Sequence, residues 1–191
     1  MTRLIPPGQR FTGSAAGTSL RLVVIEDCTP RYLMWLEDPE VNRYLETRWS
    51  AQSLESIRAF VTAQLAAVDS YLFAIEADGE HVGNLKIGPI NPHHGCADLS
   101  YFIGERASWG RGIATAAIRI ASSIAFGRLG LYRLQAGVYA SNLGSVRVLE
   151  KTGFRREGVW RRQLLGLGGR EDHVWFGLLA EEHQRSDRPS P

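Results

Sequence analysis

Residues 105–126 read E-R-A-S-W-G-R-G-I-A-T-A-A-I-R-I-A-S-S-I-A-F, and the interpretation of the whole chain starts from this stretch. Two glycines, Gly110 and Gly112, come directly before a run of apolar residues at helical spacing: Ile113, Ala117, Ile120, Ala121 and Ile124. The pattern predicts a glycine loop that opens into a buried helix. The first N–H groups of a helix are unpaired and partly positive, and glycines let a bulky group approach the backbone. The junction is therefore suited to a pyrophosphate.

Two widespread phosphate-binding motifs do not account for this loop. The dinucleotide fingerprint requires a third glycine where this chain has Thr115, and an acidic residue about 20 positions further on, where none stands. The P-loop requires Gly-Lys-Ser or Gly-Lys-Thr at its end, and the chain contains neither. Another family of phosphate-binding loops is needed.

The letters R-A-S-W-G-R-G-I-A-T-A-A resemble the pyrophosphate loop of the GNAT superfamily of N-acetyltransferases. The signature of that loop is Gln/Arg-x-x-Gly-x-Gly/Ala at the start of a helix, and Ala107 departs from it at the Gln/Arg position. Within the superfamily, W-G-R-G-I-A-T is similar to the variant found in the ribosomal-protein N-acetyltransferases, the Rim-type subgroup. For this loop taken alone, a flexible helix entry without a ligand is the alternative.

A second stretch, residues 139–154, reads Y-A-S-N-L-G-S-V-R-V-L-E-K-T-G-F and supports the same resemblance. It is similar to the family's Asn-x-x-Ser motif, which ends in Lys-x-Gly-Phe. Asn142 is predicted to cap a short helix there and Gly153 to end it. With D-P-E-V-N-R-Y-L at residues 38–45, the resemblance covers about residues 20–180.

The resemblance implies a GNAT fold of the α/β (α+β) class. Its sheet is expected to be twisted, mixed and mostly antiparallel, with six to seven strands, a parallel pair splayed at the cofactor site, and four to five flanking helices. Local patterns predict strands at 20–25, 71–77, 81–90, 97–103 and 131–139, then a hairpin around 166–170. The predicted organisation is a flexible arm at 1–19, an acetyltransferase domain at 20–182 and a flexible tail at 183–191.

Composition restricts the classes of protein to which the chain can belong. The 191 residues are 44% hydrophobic and 22% charged, and no apolar run is long enough to span a bilayer, so no membrane partner is expected. The formal net charge of +2 gives no reason to expect a nucleic-acid partner. Cys28 and Cys96 fit a reducing compartment, which favours the cytoplasm. Although Cys96 follows two histidines, a structural zinc usually needs four paired ligands, so no metal is predicted.

If the resemblance holds, acetyl-CoA is the co-substrate. The expected cofactor-binding residues are those of the two glycine-helix motifs and of the strand before them: Phe102, Ile103, Trp109, Gly110, Arg111, Gly112, Ile113, Ala114, Thr115, Asn142 and Ser145. Arg106 is a further residue that could pair with the phosphates. Most of the phosphate binding is expected from the backbone.

Acetyl transfer to an amine sets the remaining chemical requirements. An alkylamine is almost entirely protonated at pH 7, so a base or a water path to one is required. Asp98 is the first candidate because its strand borders the expected cleft, and Glu105, Glu46 and Asp172 are alternatives; His81 and His173 are interpreted as structural. By resemblance, the hydroxyl of Ser145 donates to the leaving thiolate. Its alternative role is that of a small residue that permits close packing.

The resemblance leaves the amine acceptor open. Trp35, Tyr44 and Asp98 are predicted to contact it. A Rim-type enzyme would use a protein N-terminus, whereas residues 83–98, G-N-L-K-I-G-P-I-N-P-H-H-G-C-A-D, also look like relatives associated with amino sugars. Aminoglycosides and other small amines remain alternatives, and so does an acyl-CoA-binding regulator without turnover. Dimers are common in the family, so a homodimer is an expectation of the resemblance alone.

Overall fold

A mixed eight-stranded sheet forms the centre of the computed structural model, which describes residues 4–13 and 17–186. The strands are β1 Arg10–Thr12, β2 Thr18–Leu22, β3 Tyr71–Ala77, β4 Glu80–Asn91, β5 Cys96–Ile103, β6 Arg133–Tyr139, β7 Arg155–Gly166 and β8 Gly169–Leu179. Their order is β1-β2-β3-β4-β5-β6-β8-β7. Neighbouring strands are antiparallel except for β5 and β6, as the resemblance implied.

Six α-helices flank the sheet within the described ranges: α1 Pro30–Glu37, α2 Pro39–Asn42, α3 Leu54–Ala66, α4 Ile113–Ser123, α5 Leu143–Lys151 and α6 Ala180–Ser186. Four of these helices begin at a side chain that caps the first turn. Thr29, Asp38, Ser53 and Asn142 each accept a hydrogen bond from a first-turn N–H group. Helices α1 and α3 share one buried cluster with one face of the sheet, and α4 belongs to a second cluster that includes residues of β4–β6.

The parallel pair β5–β6 is short, and this shapes the site. The two strands pair only at Cys96 with Arg133, Ala97 with Leu134 and Asp98 with Gln135. Strand β5 stays on the β4 ladder as far as Ile103, while β6 stays on β8 as far as Tyr139. Beyond the third pair the sheet therefore opens into a gap at the carboxyl ends of both strands, where ligands of α/β sheets commonly bind.

The observed elements exceed the predicted numbers at the two ends of the chain. The eighth strand, β1, contains only three residues and had no recognisable alternation, yet it pairs with β2 and lies inside the predicted arm. Ile5 of the same predicted arm is fully buried. The sixth helix, α6, covers residues 183–186 of the predicted tail. Residues 1–3, 14–16 and 187–191, also parts of the predicted arm and tail, lie outside the described residues.

A buried carboxylate ties the first three strands together. Glu76 on β3 accepts hydrogen bonds from Arg10 at 2.7 and 2.8 Å, from Arg21 at 2.8 Å and from Ser19 at 2.8 Å. Arg21 also binds Asp27 in a bidentate pair with both distances at 2.7 Å. Burial raises the pKa of Glu76 and of Asp27, but their hydrogen bonds outweigh it and hold both values below the ordinary range. At neutral pH this end of the sheet carries matched, ionised partners.

Candidate active site

A cleft of about 1130 Å³ occupies the gap between β5 and β6. The start of α4 and α5 line one part of it, and the region from α1 to α3 lines the other. Its floor is formed by the separated ends of β5 and β6 together with β4. One continuous space therefore joins the predicted phosphate loop to the predicted acceptor region.

The start of α4 has the geometry of an anion site. Gly112 is the N-cap residue with φ +81°, Gly110 has φ +74°, and a side chain at either position would meet open space rather than protein. The first bond back into the helix is from Ala116 N–H to Gly112 C=O at 3.0 Å. The preceding N–H groups, those of residues 113–115, have no acceptor inside the helix, and all three residues line the cleft. The predicted loop conformation is thus present.

The larger side chains of the loop make contacts that were not predicted. The Trp109 indole Nε1 donates to the Ile103 carbonyl at 2.9 Å, which ties the loop to the end of β5. Arg111 points away from the cleft and pairs with Asp78 of the β3–β4 turn at 2.9 Å. Arg106 lies 3.6 Å from Asp38. Neither arginine lines the cleft in the described part of the chain, so the groups that the loop itself offers to the predicted phosphate are main-chain N–H groups.

The second motif places a hydroxyl at the opposite wall. Asn142 Oδ1 accepts from the Ser145 N–H at 3.1 Å, so α5 begins as predicted and Ser145 lies in its first turn, lining the cleft. The phenol of Tyr101 on β5 lies beside the Ser145 side chain. Its oxygen is buried and, among the residues described, has no partner at ordinary hydrogen-bond geometry. Burial raises the pKa of Tyr101 to about 12, and the interaction with Ser145 offsets only part of that rise, so the phenol keeps its proton.

A carboxylate and two tyrosines, Glu46, Tyr139 and Tyr44, line the cleft in the predicted acceptor region. Tyr139, the last residue of β6, donates from its hydroxyl to Glu46 Oε1 at 2.8 Å. The Trp49 indole donates to the other oxygen of Glu46 at 3.1 Å. Tyr44 packs against Tyr139 with ring centroids 5.6 Å apart and donates to the Ser141 carbonyl at 3.1 Å. Burial, followed by Glu46, raises the pKa of Tyr139 to about 12, so Tyr139 remains a donor to Glu46.

The four carboxylates considered as bases occupy different positions. Asp98 accepts from Gln135 Nε2 at 2.7 Å, at the last pair of the β5–β6 ladder and before the gap opens. Glu105 pairs with Arg31 at 2.8 Å. Asp172 accepts from the Arg162 N–H at 2.8 Å. Of these four only Glu46 lines the cleft, so the structure does not bring Asp98 to the place that the sequence indicated.

Trp35 differs from expectation, whereas His173 has the kind of hydrogen bond expected of a structural histidine. Trp35 does not contact the cleft; it packs under Gly104, with its ring centroid 5.1 Å from His81 and 6.4 Å from Phe102. His173 does line the cleft, and its Nδ1 lies 2.7 Å from Gln163 Oε1. Burial lowers the pKa of His173 and of His81, so both rings are neutral at pH 7.

Sequence reasoning did not select Tyr101, Tyr139, Asn84 and Lys86, all of which line the cleft. Asn84 and Lys86 are polar residues in the middle of a strand whose neighbours are mostly buried, and that contrast is the signal that could have found them. No group of three or more His, Cys, Asp or Glu side chains is arranged to hold a metal ion in residues 4–13 and 17–186. No helix in the same ranges is long and apolar enough to cross a bilayer.

Comparison with known proteins agrees with this geometry. Residues 18–155 match a family model described as an acetyltransferase (GNAT) domain. "Probable N-acetyltransferase YjcK" of Bacillus subtilis (strain 168) is 42% identical over 89 residues, which are 47% of this chain and only about half, 49%, of that protein. Spermidine N(1)-acetyltransferase of Escherichia coli (strain K12) is 34% identical over 86 residues, 45% of this chain and 46% of that protein.

Among solved structures, Mycobacterium smegmatis RimJ in complex with CoA-disulfide is similar over most of both chains. It is 27% identical, with a TM-score of 0.78, and the match covers 91% of this chain and 87% of that one. The Rim-type resemblance of the two motifs therefore extends to the tertiary structure.

Proposed function

The chain belongs to the GNAT family of acetyltransferases, and on that premise we propose that it transfers the acetyl group of acetyl-CoA to a primary amine, on a protein N-terminus or a small molecule. The observation that carries this proposal is the continuous cleft between the free N–H groups at the start of α4 and the Glu46 carboxylate. A cofactor and an acceptor can meet inside it without any rearrangement of the sheet.

In the proposed complex the start of α4 binds the pyrophosphate of acetyl-CoA. Three N–H groups converge there, the helix dipole favours negative charge, and Gly110 and Gly112 leave room for the phosphates. The acyl arm then extends into the gap between β5 and β6, along Phe102 and Ile103. A backbone N–H group of β5 that no longer pairs with β6 can donate to the thioester oxygen as negative charge develops there.

Glu46 is the proposed base, in place of Asp98. An amine with a solution pKa near 10.4 arrives protonated, so it must lose a proton before its nitrogen can attack the thioester carbon. Glu46 can attract the ammonium and accept that proton directly or through one water, while Tyr139 and Trp49 fix the orientation of its carboxylate. The C–N bond then forms, and the C–S bond breaks as the tetrahedral intermediate collapses, while the nitrogen gives its second proton to the departing thiolate or to solvent.

Ser145 is proposed to assist the departure of CoA. A thiolate with a pKa of about 8.5 is already a good leaving group, so one hydrogen bond from a hydroxyl is sufficient stabilisation. Ser145 is in the first turn of α5, beside the neutral phenol of Tyr101, which can donate to the serine oxygen while serine donates to sulfur. The negative charge on sulfur would thus meet two hydroxyls in series.

The test is release of free CoA, measured with a thiol reagent, when the purified protein receives acetyl-CoA and an amine. The panel contains peptides with free N-termini, polyamines, aminoglycosides and amino-sugar nucleotides, because the relatives include both a Rim-type protein and a spermidine acetyltransferase. Turnover with at least one class is expected. Silence across all classes, with acetyl-CoA binding intact, would instead identify an acyl-CoA-binding regulator.

A further inference from the structure

The wall of the cleft formed by β4 and β5 is rich in hydrogen-bond donors. Lys86 lies directly opposite Ser100, and Asn84 lies opposite Phe102 in the same ladder. Alternation along a strand puts these four side chains on one face of the sheet. Phe102 packs against the cluster of α1 and α3, so this face is the one turned toward the predicted acceptor region.

Asn84 presents a buried donor that nothing in the described protein uses. The residue is 3% exposed, and His81 Nε2 lies 3.2 Å from its Oδ1. That contact holds the amide with Nδ2 directed away from the histidine, and Nδ2 is buried without a hydrogen-bond partner among residues 4–13 and 17–186. Since buried donors are almost always paired in folded proteins, an unpaired one in the wall of a cleft indicates a ligand oxygen.

Lys86 adds a positive charge to the same wall. Its side chain is partly buried, lines the cleft and makes no ion pair within 4.0 Å in the ranges that the structure describes. Asp98 occupies the same face of β5, but its carboxylate is hydrogen-bonded to Gln135. Charged groups that are buried or half-buried without a partner are costly, and a bound anion would remove that cost.

The acceptor part of the cleft therefore has two chemically different ends. One contains Glu46, the only carboxylate among the described residues that line the cleft, together with Tyr139, whose hydroxyl also accepts from Arg48 at 3.0 Å; the other contains Lys86 and Asn84 on β4. We propose that the acceptor is an amine that also carries an oxyanion, a carboxylate or a phosphate, which Lys86 and Asn84 bind while the amine faces Glu46. This inference rests on the proposed function and names its substrate class.

The same arrangement selects against acceptors that carry only positive charges. A linear polyamine long enough to reach both ends would place a second ammonium against Lys86, and like charges at short range are unfavourable in a partly desolvated site. An amine bearing an oxyanion meets a complementary charge at each end. Specificity would then come from attraction and repulsion together.

The experiment compares two pairs of acceptors that differ only in the anion. One pair is glucosamine 6-phosphate and glucosamine; the other is the dipeptide amide Ala-Glu-NH₂ and Ala-Gln-NH₂. For each pair, kcat/KM is measured by CoA release and binding to the CoA-loaded protein by calorimetry. We expect the anionic member of at least one pair to be favoured about tenfold or more, and the pair with the larger ratio shows whether phosphate or carboxylate is the natural group.

Variants at basic residues inside and outside the cleft separate the proposal from general damage. Lys86→Met should bring the ratio close to one by raising KM for the anionic member, and Lys86→Arg should restore most of it. Arg58→Met is the control, because Arg58 is exposed on α3, does not line the cleft and should leave the ratio unchanged.

Equal binding of both members in the wild type, absence of binding by either pair, or a ratio that survives Lys86→Met would overturn the inference. The proposed function is judged separately, by acetyl-CoA binding and by turnover of any amine, so it can stand when the inference fails.

Discussion

Two regions of the sheet differ in how their polar groups are paired: strands β1–β3 at one edge, and the gap between β5 and β6. At β1–β3, Glu76 and Asp27 have arginine partners at 2.7 to 2.8 Å, and the carboxylates are satisfied. Around the gap between β5 and β6, by contrast, Asn84 Nδ2, Thr47 Oγ1 and Tyr101 Oη are buried without hydrogen-bond partners in the part of the chain that the structure describes, and the first N–H groups of α4 have no acceptor inside the helix. The paired groups at β1–β3 stabilise the fold, whereas the unpaired donors around the gap are available to a ligand.

The largest effect is expected from a substitution at the start of α4, where the first N–H groups have no acceptor inside the helix. Gly112→Asp introduces a side chain at φ +81° and a carboxylate where the pyrophosphate is proposed to bind, so affinity for acetyl-CoA should fall at least about a hundredfold. Calorimetry gives the affinity and circular dichroism checks the fold. Gly127→Asp is the control, because Gly127 is exposed on the far part of the same helical segment and its Cβ would also meet open space. Equal affinity of Gly112→Asp and wild type would refute the phosphate site.

A second expected effect separates chemistry from binding. Ser145→Ala should lower kcat by about a hundredfold, since the thiolate loses its hydrogen bond, while the Kd for acetyl-CoA changes less than about threefold. Single-turnover kinetics with a saturating acceptor measures the first quantity and calorimetry the second. An unchanged rate would remove Ser145 from the mechanism.

The third prediction decides between two carboxylates. Glu46→Gln should lower kcat/KM for the acceptor by about ten- to a hundredfold, because the amide accepts no proton. Asp98→Asn should change kcat/KM by less than about threefold, since Asp98 is engaged with Gln135 outside the gap. The opposite ranking of the two variants would return the role of base to Asp98.

A substitution in the paired region at β1–β3 should have the smallest effect on activity and a large effect on stability. Glu76→Gln removes the charged partner of Arg10 and one of the two charged partners of Arg21, so the free energy of unfolding at pH 7 should fall by about 3 kcal/mol. Activity per folded molecule should stay within about twofold of the wild type. Urea unfolding and CoA release, measured on the same sample, check both statements. A tenfold loss of activity would show that Glu76 affects the cleft as well as stability.

The stability effect has a defined pH dependence. The folded-state pKa values of Glu76 and Asp27 are lowered, so their contribution to stability is complete above the unfolded values of about 4 and is lost as the pH falls through the folded values. Wild type and Glu76→Gln should therefore converge in urea midpoint as the pH is lowered from 5 towards 3. A constant difference over that range would show that the charge of Glu76 does not contribute.

Features encoded by contiguous residues could be predicted from the sequence. The α4 start depends on Gly110, Gly112 and the apolar residues just after them, and α5 depends on Asn142, three residues before Ser145. Strand β3 was predicted with its observed bounds, 71–77, because the hairpin signal Asp78-Gly79 follows it directly. In each case the physical cause lies within about one turn or one strand of its effect.

Features that depend on distant segments could not be predicted in the same way. Asp98 was selected because its strand borders the cleft, but the β5–β6 ladder ends at Asp98 itself, and no local pattern reveals where a parallel pair separates. Trp35 is a core residue because Gly104, far along the chain, leaves space for its ring. Arg111 does not line the cleft because it pairs with Asp78 of the β3–β4 turn. The acceptor end combines residues of several elements, so only the tertiary structure assembles it.

The scarcity of lysine has a chemical consequence for an enzyme that acylates amines. Of the 22 basic residues only Lys86 and Lys151 carry a side-chain amine, whereas guanidinium groups stay protonated and are poor nucleophiles toward thioesters. Stray self-modification by its own co-substrate therefore has two side-chain targets, and both of them line the cleft. Intact-mass measurement after incubation with acetyl-CoA would report directly whether these two amines become acetylated.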